Sequence, residues 1–261
     1  MISYSGRHAE FYDKFYADKP YKAEASFVHE CLQRFSSRPP HLLLELACGT
    51  GRHALALEKY GYSIIATDYS EDMLACARKK AAGLASTIDF RLQDMRELNV
   101  PEGPFDAVIC LFDSIGYVET NEALEKVFRV VNCHLKLEGL FVFEFWHAVA
   151  MVSMYDPLRV LHWHSTDGEL LRISETELDV ERQLAKVTYT IYEFLRDGSY
   201  TKFQEVQKNR YFLVQEMAAW LSRFGFKPLK WFAGFEPEEK IGAKTWHILA
   251  VAQKTEALIK T

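Results

Sequence analysis

The 261-residue chain has few cysteines, five in all, and no two of them stand in a CxxC or other metal-ligand spacing. A disulfide framework and a zinc ribbon are therefore excluded as sources of stability, and no metal ligand set is expected. Cys48, Cys110 and Cys133 sit in or beside apolar runs, where a buried small hydrophobe and a free thiol are expected. No run of about 18 apolar residues occurs, so no membrane span or membrane partner is expected. The stretch from Met1 to Tyr16 is mixed polar and aromatic and lacks the apolar core of a secretory signal. Basic residues are not in excess: the formal net charge is −5. The densest basic cluster, Arg78-Lys79-Lys80, reads as one solvated helix face. A nucleic-acid partner usually demands a basic stripe, so none is expected. These absences point to a cytoplasmic protein with a small-molecule substrate. Internal repeats and low-complexity segments are absent as well.

What is present is an ordinary globular composition, 49% hydrophobic and 26% charged. The length suits one α/β domain carrying an insertion. Residues 9–35 read as helix interrupted by Pro20, with Phe11, Phe15, Phe27, Cys31, Leu32 and Phe35 at near-helical spacing. Residues 41–47 form a continuous apolar strand with one embedded acid, Glu45, the pattern of a strand buried on both faces. Further strands are expected at 63–67, 87–92, 105–112 and 139–145, with helices over about 52–60, 71–83 and 121–135. Strands alternating with helices mean a doubly wound parallel sheet. The texture changes after Trp146. Residues 170–178, 184–195 and 200–212 are rich in Thr, Val, Ile and Tyr, and Asp197-Gly198 is a hairpin turn signal. An antiparallel meander is expected there, followed by a helix at 214–224 and two closing strands at 227–232 and 246–252. The expected organisation is an α/β domain from 1–150 and 213–261, with an N-terminal helical cap over about 1–38. Residues 151–212 would be an inserted lid or dimer surface.

The segment Leu44-Glu45-Leu46-Ala47-Cys48-Gly49-Thr50-Gly51 joins a buried strand to a helix. Glycines there allow positive φ and close approach of a ligand to the backbone. Ligands of such sheets bind beyond the carboxyl ends of the strands, where the strand order reverses. Asp68 ends the next strand, 19 positions beyond Gly49. A carboxylate there can accept from both hydroxyls of a ribose. A dinucleotide such as NAD is the rival ligand, and Ala54 at the third position of GxGxxG does not decide between them.

The string ELACGTG resembles the first motif of the class I S-adenosylmethionine (SAM) methyltransferases. Ala66 to Leu74, Gln93-Asp94-Met95-Arg96 and Phe105 to Cys110 resemble that family's later motifs, in order. Tyr4-Ser5-Gly6, Phe11-Tyr12-Asp13, Phe112 to Tyr117 and the meander resemble the N,N-dimethyltransferases of nucleotide-linked amino sugars; glycine N-methyltransferase is a more distant likeness. The resemblance implies a Rossmann-like seven-stranded sheet with SAM as cofactor and S-adenosylhomocysteine as product. Ala47, Gly49 and Gly51 would face the methionine part, Glu45 its amino group and Asp68 the ribose. Asp94 and Met95 would face the adenine, with Tyr69 or Met73 over its face, and Tyr12, Tyr16 and Phe112 would line the site. Tyr4 would cap it. The sugar enzymes often carry a histidine after the Ile-Gly pair, where this chain has Tyr117. Tyr117 and His147 are the candidate catalytic groups. The sugar enzymes also imply a homodimer. The leading acceptor is the amino group of a nucleotide-linked sugar. A small amine, an amino acid or a hydroxyl group are alternatives. A SAM-binding protein without catalysis and an NAD-dependent oxidoreductase are the readings from other classes.

Overall fold

The computed structural model describes residues 6–165 and 168–258. Two helices open it, α1 (Arg7–Phe15) and α2 (Tyr21–Phe35), with Pro20 at the N-terminus of the second. Proline fits there because the first helical N–H groups have no intrahelical acceptor. The expected single interrupted helix is thus two. Strands and helices then alternate: β1 (Leu42–Leu46), α3 (Arg52–Glu58), β2 (Ser63–Asp68), α4 (Glu71–Gly83), β3 (Asp89–Leu92) and β4 (Phe105–Cys110). A 3-10 turn (Ser114–Tyr117), α5 (Asn121–His134) and β5 (Leu135–Trp146) follow. Next come a short α6 (Ala148–Met154), then β6 (Leu158–Ser165), β7 (Gly168–Asp179), β8 (Leu184–Leu195) and β9 (Tyr200–Arg210). The chain closes with α7 (Val214–Arg223), β10 (Phe226–Ala233) and β11 (His247–Lys254).

The seven-stranded sheet has the order β10-β11-β5-β4-β1-β2-β3. All its pairs are parallel except those made by β11, which runs antiparallel to both β5 and β10. Strand order reverses between β1 and β4, so the crevice for a ligand opens beyond their carboxyl ends. The four-stranded sheet is the meander, in the order β6-β7-β8-β9. At its 197–198 turn, Ser199 N–H donates to Asp197 Oδ1 at 2.9 Å, and Gly198 has φ +84°.

Burial on both faces explains the apolar runs. Leu43, Ala107, Ile109 and Val142 pack under α2, α3 and α4 on one side. Leu44, Val108, Cys110, Phe141, Phe143 and Phe145 pack under α5 and α7 on the other. Local caps fix the helix ends. Ser70 accepts from the Met73 N–H at 3.3 Å and Thr120 from the Ala123 N–H at 3.2 Å. Gly225, at φ +76°, ends α7 in the left-handed conformation expected of a C′ residue.

Differences from the expected elements are few. The fifth strand begins at Leu135 rather than 139, and α6 and β6 were not foreseen. Cys133 is exposed rather than buried, because α5 turns that position to solvent, whereas Cys48 and Cys110 are buried. Among the described residues no helix is long and apolar enough to cross a membrane.

Candidate cofactor and acceptor site

The loop after β1 alternates its backbone. Ala47, Gly49 and Gly51 have φ of +51°, +56° and +74°. The loop is held to β2 by Cys48 N–H donating to the Thr67 carbonyl at 2.9 Å, and to α1 by Thr50 Oγ1 donating to Asp13 Oδ1 at 2.8 Å. The two glycines differ in purpose. A Cβ on Gly49 would meet only the end of the Met73 side chain, at 3.2 Å. A Cβ on Gly51 would stand 2.7 Å from the Phe90 ring and 3.1 Å from Ala77. Gly51 thus lets the loop sit against β3 and α4, a packing role alongside the expected ligand role. Gly51→Ala is expected to cost about 1–3 kcal/mol, from strained backbone and ring displacement together. A denaturant midpoint equal to that of the parent chain would contradict this.

Glu45 is almost completely buried, and no cation pairs with it among the described residues. Among the described residues its Oε2 has no hydrogen-bond partner. Burial first, and then the nearby Asp68 carboxylate, push its carboxyl up to about 8. Asp68 is also buried. Its Oδ2 accepts from the Gly49 N–H and its Oδ1 from the Ser70 N–H, both at 2.8 Å. Asp68 therefore ties the glycine loop to the start of α4, and burial raises its carboxyl above the usual range.

Asp94 begins the turn after β3. Arg96 donates to both of its carboxylate oxygens, and the Arg96 backbone N–H donates to Oδ1 at 2.8 Å. That arginine holds the Asp94 carboxyl below the usual range. The carboxylate foreseen for the adenine amino group is thus already engaged by a neighbour two residues on, which any ligand would have to share. Tyr69, half-buried, lies within electrostatic reach of Arg96. Met95 is half-buried against the core under α5.

Above the loop, Tyr12, Met73 and Ala9 pack together, with Tyr16 and Phe112 beside them. The Tyr16 ring lies 4.8 Å from that of Tyr12 and 5.1 Å from that of Phe112, the second pair edge-on. Burial raises the Tyr12 phenol well above its ordinary value, with smaller contributions from Tyr21, Tyr16, Tyr117 and Asp68. Tyr117 and Asp68 thus lie within electrostatic reach of Tyr12. Tyr4 lies outside the described residues.

A cavity of about 770 Å³ is lined by Phe112 and, among others, by Lys19, Glu144, Trp246 and His247. Here three segments far apart in sequence meet. His247 Nδ1 lies 2.8 Å from Asp113 Oδ2 and 3.4 Å from Glu144 Oε1. The Phe112 N–H donates to Glu144 Oε2 at 2.7 Å. Sequence spacing missed this trio. The one local signal was Glu144, an acid in the apolar run from Leu140 to Phe145, the same signature as Glu45. Alternation puts His162 and His164 on one solvated strand face, as found, and cross-strand pairing of β6 with β7 adds Glu169 to them. His147 is buried at the start of α6. Its Nδ1 donates to the Thr245 carbonyl at 3.1 Å, and it does not line the cavity.

A family model described as a methyltransferase domain matches residues 43–139. A putative methyltransferase of Geobacillus sp. (strain WCH70) is 31% identical over 235 residues, covering 88% of this chain and 92% of that protein. The dTDP-3-amino-3,4,6-trideoxy-alpha-D-glucopyranose N,N-dimethyltransferase of Streptomyces venezuelae is 35% identical over 147 residues, 55% of this chain and 59% of its own. An S-adenosylmethionine-dependent methyltransferase from Clostridium acetobutylicum superposes with a TM-score of 0.79 at 24% identity, over 95% of this chain and 97% of that one. With the motif order, the seven-stranded sheet and the near full-length relative in agreement, the chain belongs to the class I SAM-dependent methyltransferases.

Proposed function

We propose that this enzyme transfers the SAM methyl group to the amino group of a small molecule, a nucleotide-linked amino sugar being the first class to test. The observation that carries the amine reading is the cavity that Phe112 lines. Glu30, Glu236 and Glu239 line it with Lys244, beside the Lys19–Glu24 ion pair and the Glu144–His247 contact. An acidic wall attracts a cationic amino group. The sugar class rests on the named activity of the Streptomyces venezuelae relative. That likeness spans little more than half of either chain.

The residues present fit the cofactor. A buried carboxylate oxygen on Glu45 without a partner is the counterpart that a methionine ammonium would complete. Gly49, open except for the tip of Met73, leaves room for the ligand against the backbone. Asp68 would hold the ribose with the acceptor capacity its backbone bonds to Gly49, Tyr69 and Ser70 leave, Met95 and Tyr69 would flank the adenine, and Asp94 would share its carboxylate between Arg96 and the adenine amino group. When bound, SAM supplies an already activated methyl group on a sulfonium. The protein's task is then to hold the amine in line, keep it neutral and exclude water. Tyr12, Tyr16 and Phe112 close the site over the loop. Tyr117 orients the acceptor from the Tyr12 side. The outer meander face exposes Leu158, Val160 and Tyr200 and offers a second copy of the chain an apolar surface.

The test is transfer of label from methyl-labelled SAM to a panel of dTDP-linked amino sugars, free amino sugars, small amines and hydroxyl analogues. Mono- and dimethylated amine products are expected. Label found only on hydroxyl acceptors would overturn the amine reading.

A further inference from the structure

The trio at the cavity wall has features that a structural ion pair does not need. Phe112 and Asp113 are consecutive non-glycine residues in the left-handed conformation, at φ +57° and +56°. Such backbone costs energy and persists only where the surroundings fix it. They do so here. Glu144 accepts the Phe112 N–H, and the Asp113 carbonyl accepts from Gly116 N–H at 2.9 Å and Asn209 Nδ2 at 3.2 Å. The consequence is that the Asp113 carboxylate is turned inward to His247. Asp113 Oδ1 is buried and has no hydrogen-bond partner among the described residues, and both acids are 3% exposed in their side chains. The His247 side chain is 42% exposed and lines the cavity. Its Nδ1 is committed to the carboxylates, which fixes the proton on that nitrogen. Its Nε2 carries no protein hydrogen bond among the described residues.

We propose that His247 is the general base of methyl transfer, with Asp113 and Glu144 as the positioning residues that orient its ring and stabilise its charged form. The proposal rests on the amine reading above and adds the group that handles the proton. The amine nitrogen forms its bond to the methyl carbon as the carbon–sulfur bond breaks, and the sulfur leaves as a neutral thioether. The nitrogen is then an ammonium with one proton too many. That proton passes to Nε2 of neutral His247, giving an imidazolium neutralised by Asp113, and leaves through the cavity. A neutral amine is thereby restored for a second methylation. The base stands in a different place from Tyr117, whose position in the sugar enzymes often carries histidine.

The titratable groups that face His247 come from three segments: Asp113 after β4, Lys19 between the first two helices, and Glu144 on β5, its own carboxyl pushed up to about 8 by burial and then by Asp113. Asp113 dominates and raises the imidazole to about 9. That value lies near those of ordinary ammonium ions, so transfer from the product ammonium is close to balanced. The sign follows. The base form grows as pH rises, so kcat/KM should climb through a limb that ends near pH 9.

The experiment uses the full chain, saturating SAM and whichever acceptor the panel yields. If that acceptor carries only hydroxyls, the amine reading falls and His247 is tested on the hydroxyl proton instead. His247→Gln is expected to lower kcat about 100-fold or more, with SAM affinity by calorimetry unchanged, and to remove the limb near pH 9. Asp113→Asn is expected to move that limb down by at least about one pH unit. The His247 ring signal in a carbon-13 NMR titration should move with it, which also reads the pair without turnover. A His247→Gln enzyme with the parent kcat and pH profile would overturn the proposal. So would an Asp113→Asn enzyme whose rate limb stays in place while the His247 signal shifts.

Discussion

Asp68→Ala should weaken SAM binding by roughly 10- to 100-fold, the scale of about 1.5–3 kcal/mol for hydrogen bonds to a charged group. Two losses combine. The carboxylate that would accept from the ribose is removed. The clasp between the Gly49 N–H and the Ser70 N–H, each 2.8 Å from an Asp68 oxygen, is removed too. The second loss leaves buried donors without acceptors, so the loop loses its fixed approach to the ligand. Asp68→Asn separates the two. Its amide keeps one acceptor oxygen and the side-chain shape, so it should fall between the parent and the alanine variant. Titration calorimetry on the folded variants, checked by circular dichroism, measures both. A folded Asp68→Ala protein with parent affinity would remove Asp68 from the cofactor site.

Proton release accompanies SAM binding if Glu45 is the partner of the methionine ammonium. Without ligand, burial and Asp68 hold its carboxyl at about 8, so it is largely protonated at pH 7. A cation brought against it favours the carboxylate and lowers that value. Nearly one proton per site should therefore leave at pH 7. SAM affinity should rise by up to about tenfold per pH unit as pH climbs toward 8. Calorimetry in two buffers of different ionisation enthalpy counts the proton directly. Glu45→Gln should abolish both the release and the slope. Linkage gives a companion sign for stability. The folded value lies above the unfolded one, so the unfolded chain ionises Glu45 first. This group's contribution to stability is full at low pH and is lost as pH rises from about 4.5 toward 8 in the ligand-free protein. Binding that releases no proton at pH 7 would place the ammonium elsewhere.

The cofactor half of the molecule was legible in the sequence because its signals are local. A five-residue apolar strand, a glycine loop and an acid at the next strand end sit within 27 positions, from Leu42 to Asp68. The meander was legible for a similar reason, since cross-strand alternation and Asp197-Gly198 are short-range patterns. The wall of the cavity was not. His247 and Asp113 are 134 positions apart, and nothing in either neighbourhood announces the other. Their meeting depends on β11 inserting antiparallel beside β5, a fact of sheet order. Arg96 posed a different difficulty. Two residues from Asp94, its side chain was free in the sequence to point to solvent, and the turn closed by the Arg96 N–H on Asp94 Oδ1 brings it onto the carboxylate. His147 and His247 show the same limit. Both stand beside a strand end, yet one is tied to a backbone carbonyl and the other lines the cavity.

The most direct measurement of the site is isothermal titration of the purified chain with SAM, S-adenosylhomocysteine and NAD. Binding of the first two in the micromolar range, with one site per chain and no heat from NAD, is expected from Glu45, Asp68 and the glycine loop as they stand. Saturable binding of NAD, or no binding of either sulfur ligand to the folded protein, would contradict the assignment of that loop and the cofactor site built on it.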